Sequence, residues 1–347
     1  MSITKRLCAA LLAIVMIVSL ASCYGDTTWV YEYDETRVSS GTYLAYLVNA
    51  YMVATSDEKY DSEKDIFTQQ FDSVNADEYM KNEASKNIKK ALFAASELKR
   101  LGKTPTKDDL SMVDMYANYY WSMYGAYYQP NGCSSESYVL MNELDYNMEA
   151  LFNIMYGEGG VNEVAEDDIL KYFKENFYSY NMLSVQIADS ETQEALANVD
   201  EIDARFEGYE KALNEASQTF ADIKVSENSA TGVTSDENTD TTPSVQSEKT
   251  VISNYGQEFF DALKPLANGK AVVFNYGLNK YLIYRTLLDT YKTGDTFKNN
   301  KAAALTENWF GGYDEWLVGE AAKIELTVNS GAVSYYNPKN ISLPSAG

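Results

Sequence analysis

Asn181-Met182-Leu183-Ser184-Val185-Gln186-Ile187 and Lys280-Tyr281-Leu282-Ile283-Tyr284-Arg285 are the two runs whose reading decides the fold. Both are short, rich in aliphatic and aromatic residues, and read as extended strands. The first follows a charged helix start, Glu166-Asp167-Asp168, and a helical run through Ile169, Leu170 and Phe173; the period changes at Tyr180. A helical segment comes next and closes on Thr219-Phe220-Ala221-Asp222-Ile223-Lys224-Val225-Ser226-Glu227-Asn228. After a polar tract come Phe259-Phe260-Asp261-Ala262-Leu263 and Leu266-Ala267-Asn268-Gly269-Lys270. Ala271 to Tyr276 and Lys280 to Thr286 then form a hairpin-like pair.

This order of pieces resembles the parvulin-type prolyl isomerase module of SurA/PrsA-like extracytoplasmic foldases. Phe220, Ala221, Ile223, Ser226 and Asn228 fall on the family's frame after its first helix. Phe259, Ala262, Leu266, Gly269 and Lys270 fall on its later one, and Lys280 to Arg285 stands for its closing strand. The resemblance covers roughly a third of the chain and consists of spacings more than identities. It implies an α+β protein: a mainly helical chaperone domain, discontinuous in sequence, and a small parvulin-like module. It also implies a pocket around Leu183, Phe220, Phe274 and Leu282. In the family, two His, on the first and last strands, complete a polar centre near a GG turn. Here the last-strand position falls on Leu282 and the first within Met182–Ser184, and the tract Ser226–Thr250 replaces the turn. The module therefore reads as degenerate, with no catalytic residue.

The 347-residue chain has a net charge of −23, three Cys and no His. Without His there is no Ser-His-Asp or Cys-His catalysis and no HExxH zinc site. Such an acid excess is the wrong sign for nucleic acid. It suits a protein kept soluble by self-repulsion. No cofactor or metal is implied: Asp108-Asp109 and Asp167-Asp168 sit at helix starts, where the helix dipole favours them.

Residues 1–22 read as a lipoprotein signal peptide, with Lys5 and Arg6 ahead of an apolar run from Leu7 to Leu20. Leu20-Ala21-Ser22-Cys23 looks like a lipobox, which makes Cys23 the acylated N-terminus and residues 23–35 a tether. Localisation on the outer face of a bacterial membrane follows. Cys133, in a turn before a helix, reads as a bland thiol.

Residues 36–178 are expected to form the helical peptide-binding domain, completed by 292–340 as the family's chain order implies. Residues 179–290 form the module, with a disordered insertion at 226–250. Helix starts are marked at Asn75-x-x-Glu78 and Thr106-x-x-Asp109. The most unusual run is Tyr116 to Tyr128. Tyr116, Tyr120, Met123 and Tyr127 share one helical stripe, and Tyr119, Tyr124 and Tyr128 lie away from it. Two readings stay open: helix–helix packing, or a peptide cradle of Tyr116, Tyr119, Tyr120, Met123, Tyr124 and Tyr127, extended by the adaptable Met141, Met148 and Met155. The expected function is a membrane-anchored chaperone for unfolded exported polypeptides; the alternatives are an active prolyl isomerase and a scaffold for one dedicated partner.

Overall fold

Residues 28–232 and 241–343 are described by a computed structural model, and they divide between two units. One comprises residues 1–163 and 311–347, the other 164–310. The expected signal peptide, residues 1–22, and Cys23 lie outside the described residues.

The first unit opens with β1 (Trp29–Tyr33) and β2 (Thr36–Ser39), an antiparallel hairpin turned by Asp34 and Glu35 at φ 45° and 67°. Successive positive φ angles match the twist of the strands they join. Ser39 caps α1 (Ser40–Thr55), and Tyr43, Leu44, Ala45, Tyr46, Leu47 and Val48 are all buried. A helix apolar on every side belongs inside its unit. The short hairpin β3 (Gln70–Phe71) and β4 (Val74–Asn75) leads to α2 (Ala76–Leu101), capped by Asn75 and ended by Gly102 at φ 64°. Then come α3 (Lys107–Tyr128), begun by a reciprocal Thr106–Asp109 capping box, and α4 (Ser135–Tyr156), capped by Ser134. Ile88 and Leu92 of α2, Ala117 and Tyr128 of α3, and Tyr138 and Met141 of α4 share one core with α1.

The second unit begins with α5 (Glu166–Asn176), which runs directly into β5 (Phe177–Gln186). Two helices follow, α6 (Val199–Asn214) and α7 (Phe220–Thr231); next come β6 (Ser244–Ser247), α8 (Glu248–Tyr255) and α9 (Gln257–Leu263). A hairpin of β7 (Ala271–Tyr276) and β8 (Asn279–Arg285) completes an antiparallel sheet in the order β6-β5-β8-β7. Helix α10 (Asp295–Ala321) starts in this unit and continues into the first. There the chain adds β9 (Thr327–Val328), paired with β1, and α11 (Ser330–Tyr335).

Two expectations need correction. The sheet-bearing unit starts at Val164 and ends at Phe310, so α5 and the first part of α10 belong with the sheet rather than with the helical domain. Phe173 packs on Phe297 at 5.5 Å, and Lys301 bonds Glu166 at 2.8 Å, which ties the two helices together. The tract 226–250 is not one disordered insertion: α7 runs to Thr231, β6 pairs with β5 at 244–247, and α8 starts at Glu248. Its polar residues have specific partners, Arg205 for Glu227 and Glu307 for Ser247.

Candidate functional site

The two deciding runs lie side by side in one sheet. β5 and β8 are antiparallel neighbours, with Met182 opposite Ile283 and Leu183 opposite Leu282. Val273 of β7 flanks Leu282 on its other side, making an apolar row across three strands. Alternation along each strand sends this row to one face, where it packs with Phe206, Leu213, Phe220 and Ile223 of α6 and α7. Leu282 is fully buried there, in a packed interior.

Leu183, Phe220 and Leu282 are therefore brought together, but Phe274 is not. Phe274 pairs with Tyr281, one position out of phase with Leu282, and stacks on it at 5.5 Å on the opposite face. That face carries Tyr178, Tyr180, Phe259, Phe260 and Ile283 in a second core. Gly256, at φ 86°, joins α8 to α9 where an added Cβ would sit 2.5 Å from the Tyr276 hydroxyl. Beside the α6–α7 face, Arg205 grips Glu227 through two bonds of 2.8 and 2.9 Å, and the Tyr209 hydroxyl donates to the same carboxylate at 3.2 Å. Burial and then the Glu227 charge push the Tyr209 hydroxyl up to about 12. Such a paired, hydrogen-bonded cluster fixes α7 on α6.

Helix α3 is arranged the other way round. Its buried residues are Ala117, Gly125 and Tyr128, with Trp121 half-buried between them. An added Cβ on Gly125 would meet the Trp121 ring at 3.0 Å, so the glycine lets the indole fold over the helix. The large apolar residues face away. Met112, Met115, Tyr116, Tyr119, Tyr120, Met123 and Tyr124 are between 44% and 59% exposed. They recur at i, i+3, i+4, i+7, i+8, i+11 and i+12, one continuous stripe along α3. Tyr119 and Tyr124 thus belong to the stripe, contrary to the sequence reading, whereas Tyr127 is partly buried against the core. Tyr120 stacks on Tyr124 at 6.3 Å and meets Tyr119 edge-on at 5.6 Å.

Beside the stripe, α3 and α4 enclose a cleft of about 470 Å³. Asp145 of α4 lines it and accepts a 2.5 Å hydrogen bond from the Tyr46 hydroxyl. Burial pushes the Asp145 carboxyl up to about 6, although the Tyr46 bond and the nearby Lys90 ammonium pull it down. Lys90 itself bonds Asp314 at 2.7 Å.

No family model and no curated protein sequence matches this chain. Among solved structures it is similar to the foldase protein PrsA from Lactococcus lactis, at 14% identity and TM-score 0.37, over 89% of this chain and 97% of that one. It is also similar to PrsA from Streptococcus pneumoniae, at 12% identity and TM-score 0.39, over 87% and 96% of the two chains. PrsA from Bacillus subtilis gives 12% identity and TM-score 0.28, over 88% and 96%.

Cys133 is buried, forms no disulfide, and directs its thiol at the Ser134 carbonyl at 3.5 Å. Among the described residues no cluster of three or more Cys, Asp or Glu is placed to hold a metal ion. No described helix is long and apolar enough to cross a membrane. The sequence did not disclose which side of α3 is buried. Its signal was the small pair Ala117 and Gly125 flanking Trp121, not the larger tyrosines.

Proposed function

We propose that this protein is a holding chaperone for unfolded exported polypeptides, tethered through acylated Cys23 to the outer face of a bacterial membrane. The observation that carries this reading is the stripe from Met112 to Tyr124, seven large side chains at helical spacing left in solvent. An ordinary surface helix turns its apolar stripe inward. Tyrosine offers a rigid contact surface that loses little entropy on binding, and methionine adapts to varied shapes. Both properties suit transient contact with chains of differing sequence.

Prolyl isomerisation is not part of this reading. Turnover requires lowering a barrier of about 18–20 kcal/mol by interactions specific to the twisted amide. The last-strand position that would supply a polar group is the apolar Leu282, in a helix-covered core with Leu183 packed against it, and the first-strand position, within Met182–Ser184, holds no His. The test is to mix the protein with a chemically unfolded client and follow light scattering, with a proline-peptide isomerisation assay in parallel. Suppressed aggregation with background isomerisation supports the proposal. An isomerisation rate within about tenfold of an ordinary parvulin overturns the non-catalytic part. For the anchor, Cys23→Ala should leave an unprocessed precursor or release the protein from membranes; unchanged processing and lipid labelling overturn it.

The regularity of the stripe also suits one dedicated helical partner. Crosslinking in the native membrane separates the two roles: a single dominant product marks a scaffold, and many products mark a chaperone.

A further inference from the structure

Charge on the α3–α4 pair is distributed unlike that on any neighbouring helix. Together the two helices carry seven carboxylates (Asp108, Asp109, Asp114, Glu136, Glu143, Asp145 and Glu149) against one cation, Lys107. Among the described residues none of the seven enters an ion pair with Lys or Arg. Helix α2 of the same unit behaves conventionally: Lys81 pairs with Asp77, Lys86 with Glu83 and Arg100 with Glu97.

Three of these carboxylates, Asp109, Asp145 and Glu149, line the cleft of about 470 Å³ together with Tyr116, Tyr120 and Tyr146, and no Lys or Arg lines it. Asp109 spends one oxygen on the Thr106 cap, and Asp145 accepts the Tyr46 hydroxyl; Glu149 is exposed. Tyr146 lines the same cleft as Asp109 and Glu149, and burial and then those two charges raise its hydroxyl. Tyrosine faces attract cations, and carboxylates beside them add a full charge. The same surroundings repel acidic chains. A neutral apolar chain would cover the tyrosines and leave Asp109 and Glu149 without counterions.

We propose that the α3–α4 cleft docks unfolded segments in which Lys or Arg stands beside aromatic or aliphatic residues. This rests on the holding role proposed above and names the kind of segment held. The cation enters between Glu149 and the faces of Tyr116 and Tyr120, and the neighbouring apolar side chain lies on the exposed stripe of α3. The net charge of −23 draws such segments in from a distance, so association slows as salt rises.

The test uses the full-length protein and three fluorescent peptides of identical apolar residues, carrying Lys, Gln or Glu at the same sites, read by anisotropy. At low salt the Lys peptide should bind about tenfold tighter than the Gln peptide, with the Glu peptide weakest, and the gap should narrow at salt where the Debye length falls to roughly 3 Å. Glu149→Lys should remove most of the Lys peptide's advantage, with Glu149→Gln in between. The Gln peptide should be little changed, and circular dichroism should show an intact fold. Equal binding of the Lys and Gln peptides, or an advantage that survives Glu149→Lys, overturns the charge selectivity and leaves the holding role standing. Failure of every peptide to bind, with no suppression of client aggregation, overturns both.

Discussion

Aromatic side chains crowd both the four-stranded sheet and helix α3, yet Phe206 and Phe259 are 0% exposed while Tyr116 and Tyr119 are 58% and 59% exposed. The same contrast holds for charge. Glu227 beside the sheet is gripped by Arg205 and Tyr209, whereas no ion pair reaches the carboxylates of α3 and α4 among the described residues. In the sheet-bearing unit these groups satisfy one another and their interactions stabilise the fold. On α3 and α4 they remain available, so a partner that covers them gains the roughly 25 cal/mol per Å² of apolar burial that folding left unclaimed.

Substitutions should divide along the same line. Phe259 sits among Tyr180, Tyr255, Phe274 and Tyr281, and Phe259→Ala should cost about 3–5 kcal/mol in urea unfolding. A loss under about 1 kcal/mol would mean the face is loosely packed and the contrast is false. Glu227→Gln should cost about 2 kcal/mol, less than for a fully enclosed pair because Arg205 still reaches solvent. Glu149→Gln, by comparison, should leave the unfolding midpoint unchanged.

Asp145 sharpens the comparison through pH. Its folded-state carboxyl titrates near 6, above the ordinary value of 3.8, so the folded protein holds the proton more tightly than the unfolded chain. Stability from this group is therefore full at low pH and declines as pH rises through the window between those values. Asp145→Asn keeps an acceptor for Tyr46, and at pH 7 it should stabilise by about 1–2 kcal/mol, discounted for partial exposure and the lost attraction of Lys90. Thermal melts of both forms across that window check the sign, since the difference should vanish at its acid end. On the stripe, too, the effect is expected to be small: Tyr119→Ser should change stability by no more than about 0.5 kcal/mol.

Much of this fold was legible in the sequence. The strand runs around Leu183 and Leu282 announced a shared sheet, and Asn75 and Thr106 announced their helices because capping chemistry is local. What escaped depended on partners distant in the chain. The polar tract after Ser226 becomes helix and strand because Arg205 and Tyr209 hold Glu227, β5 holds β6, and Glu307 of α10 accepts from Ser247. Phe274 looked like a neighbour of Leu282, but a one-residue offset in register puts it on the other face. The run from Tyr116 to Tyr128 left two readings open. Hydrophobicity alone favoured burying the tyrosines, whereas Ala117 and Gly125 turned the opposite side inward.

The most direct measurement compares wild type with the Tyr116→Ser/Tyr120→Ser/Tyr124→Ser variant in suppressing aggregation of an unfolded client, alongside the melting temperature of each. Protection should fall at least about tenfold while the melting temperature stays within a few degrees, because these side chains contribute little to the fold. A triple variant that protects the client as well as wild type would contradict the role assigned to α3. A variant that unfolds outright would show that the stripe belongs to the core.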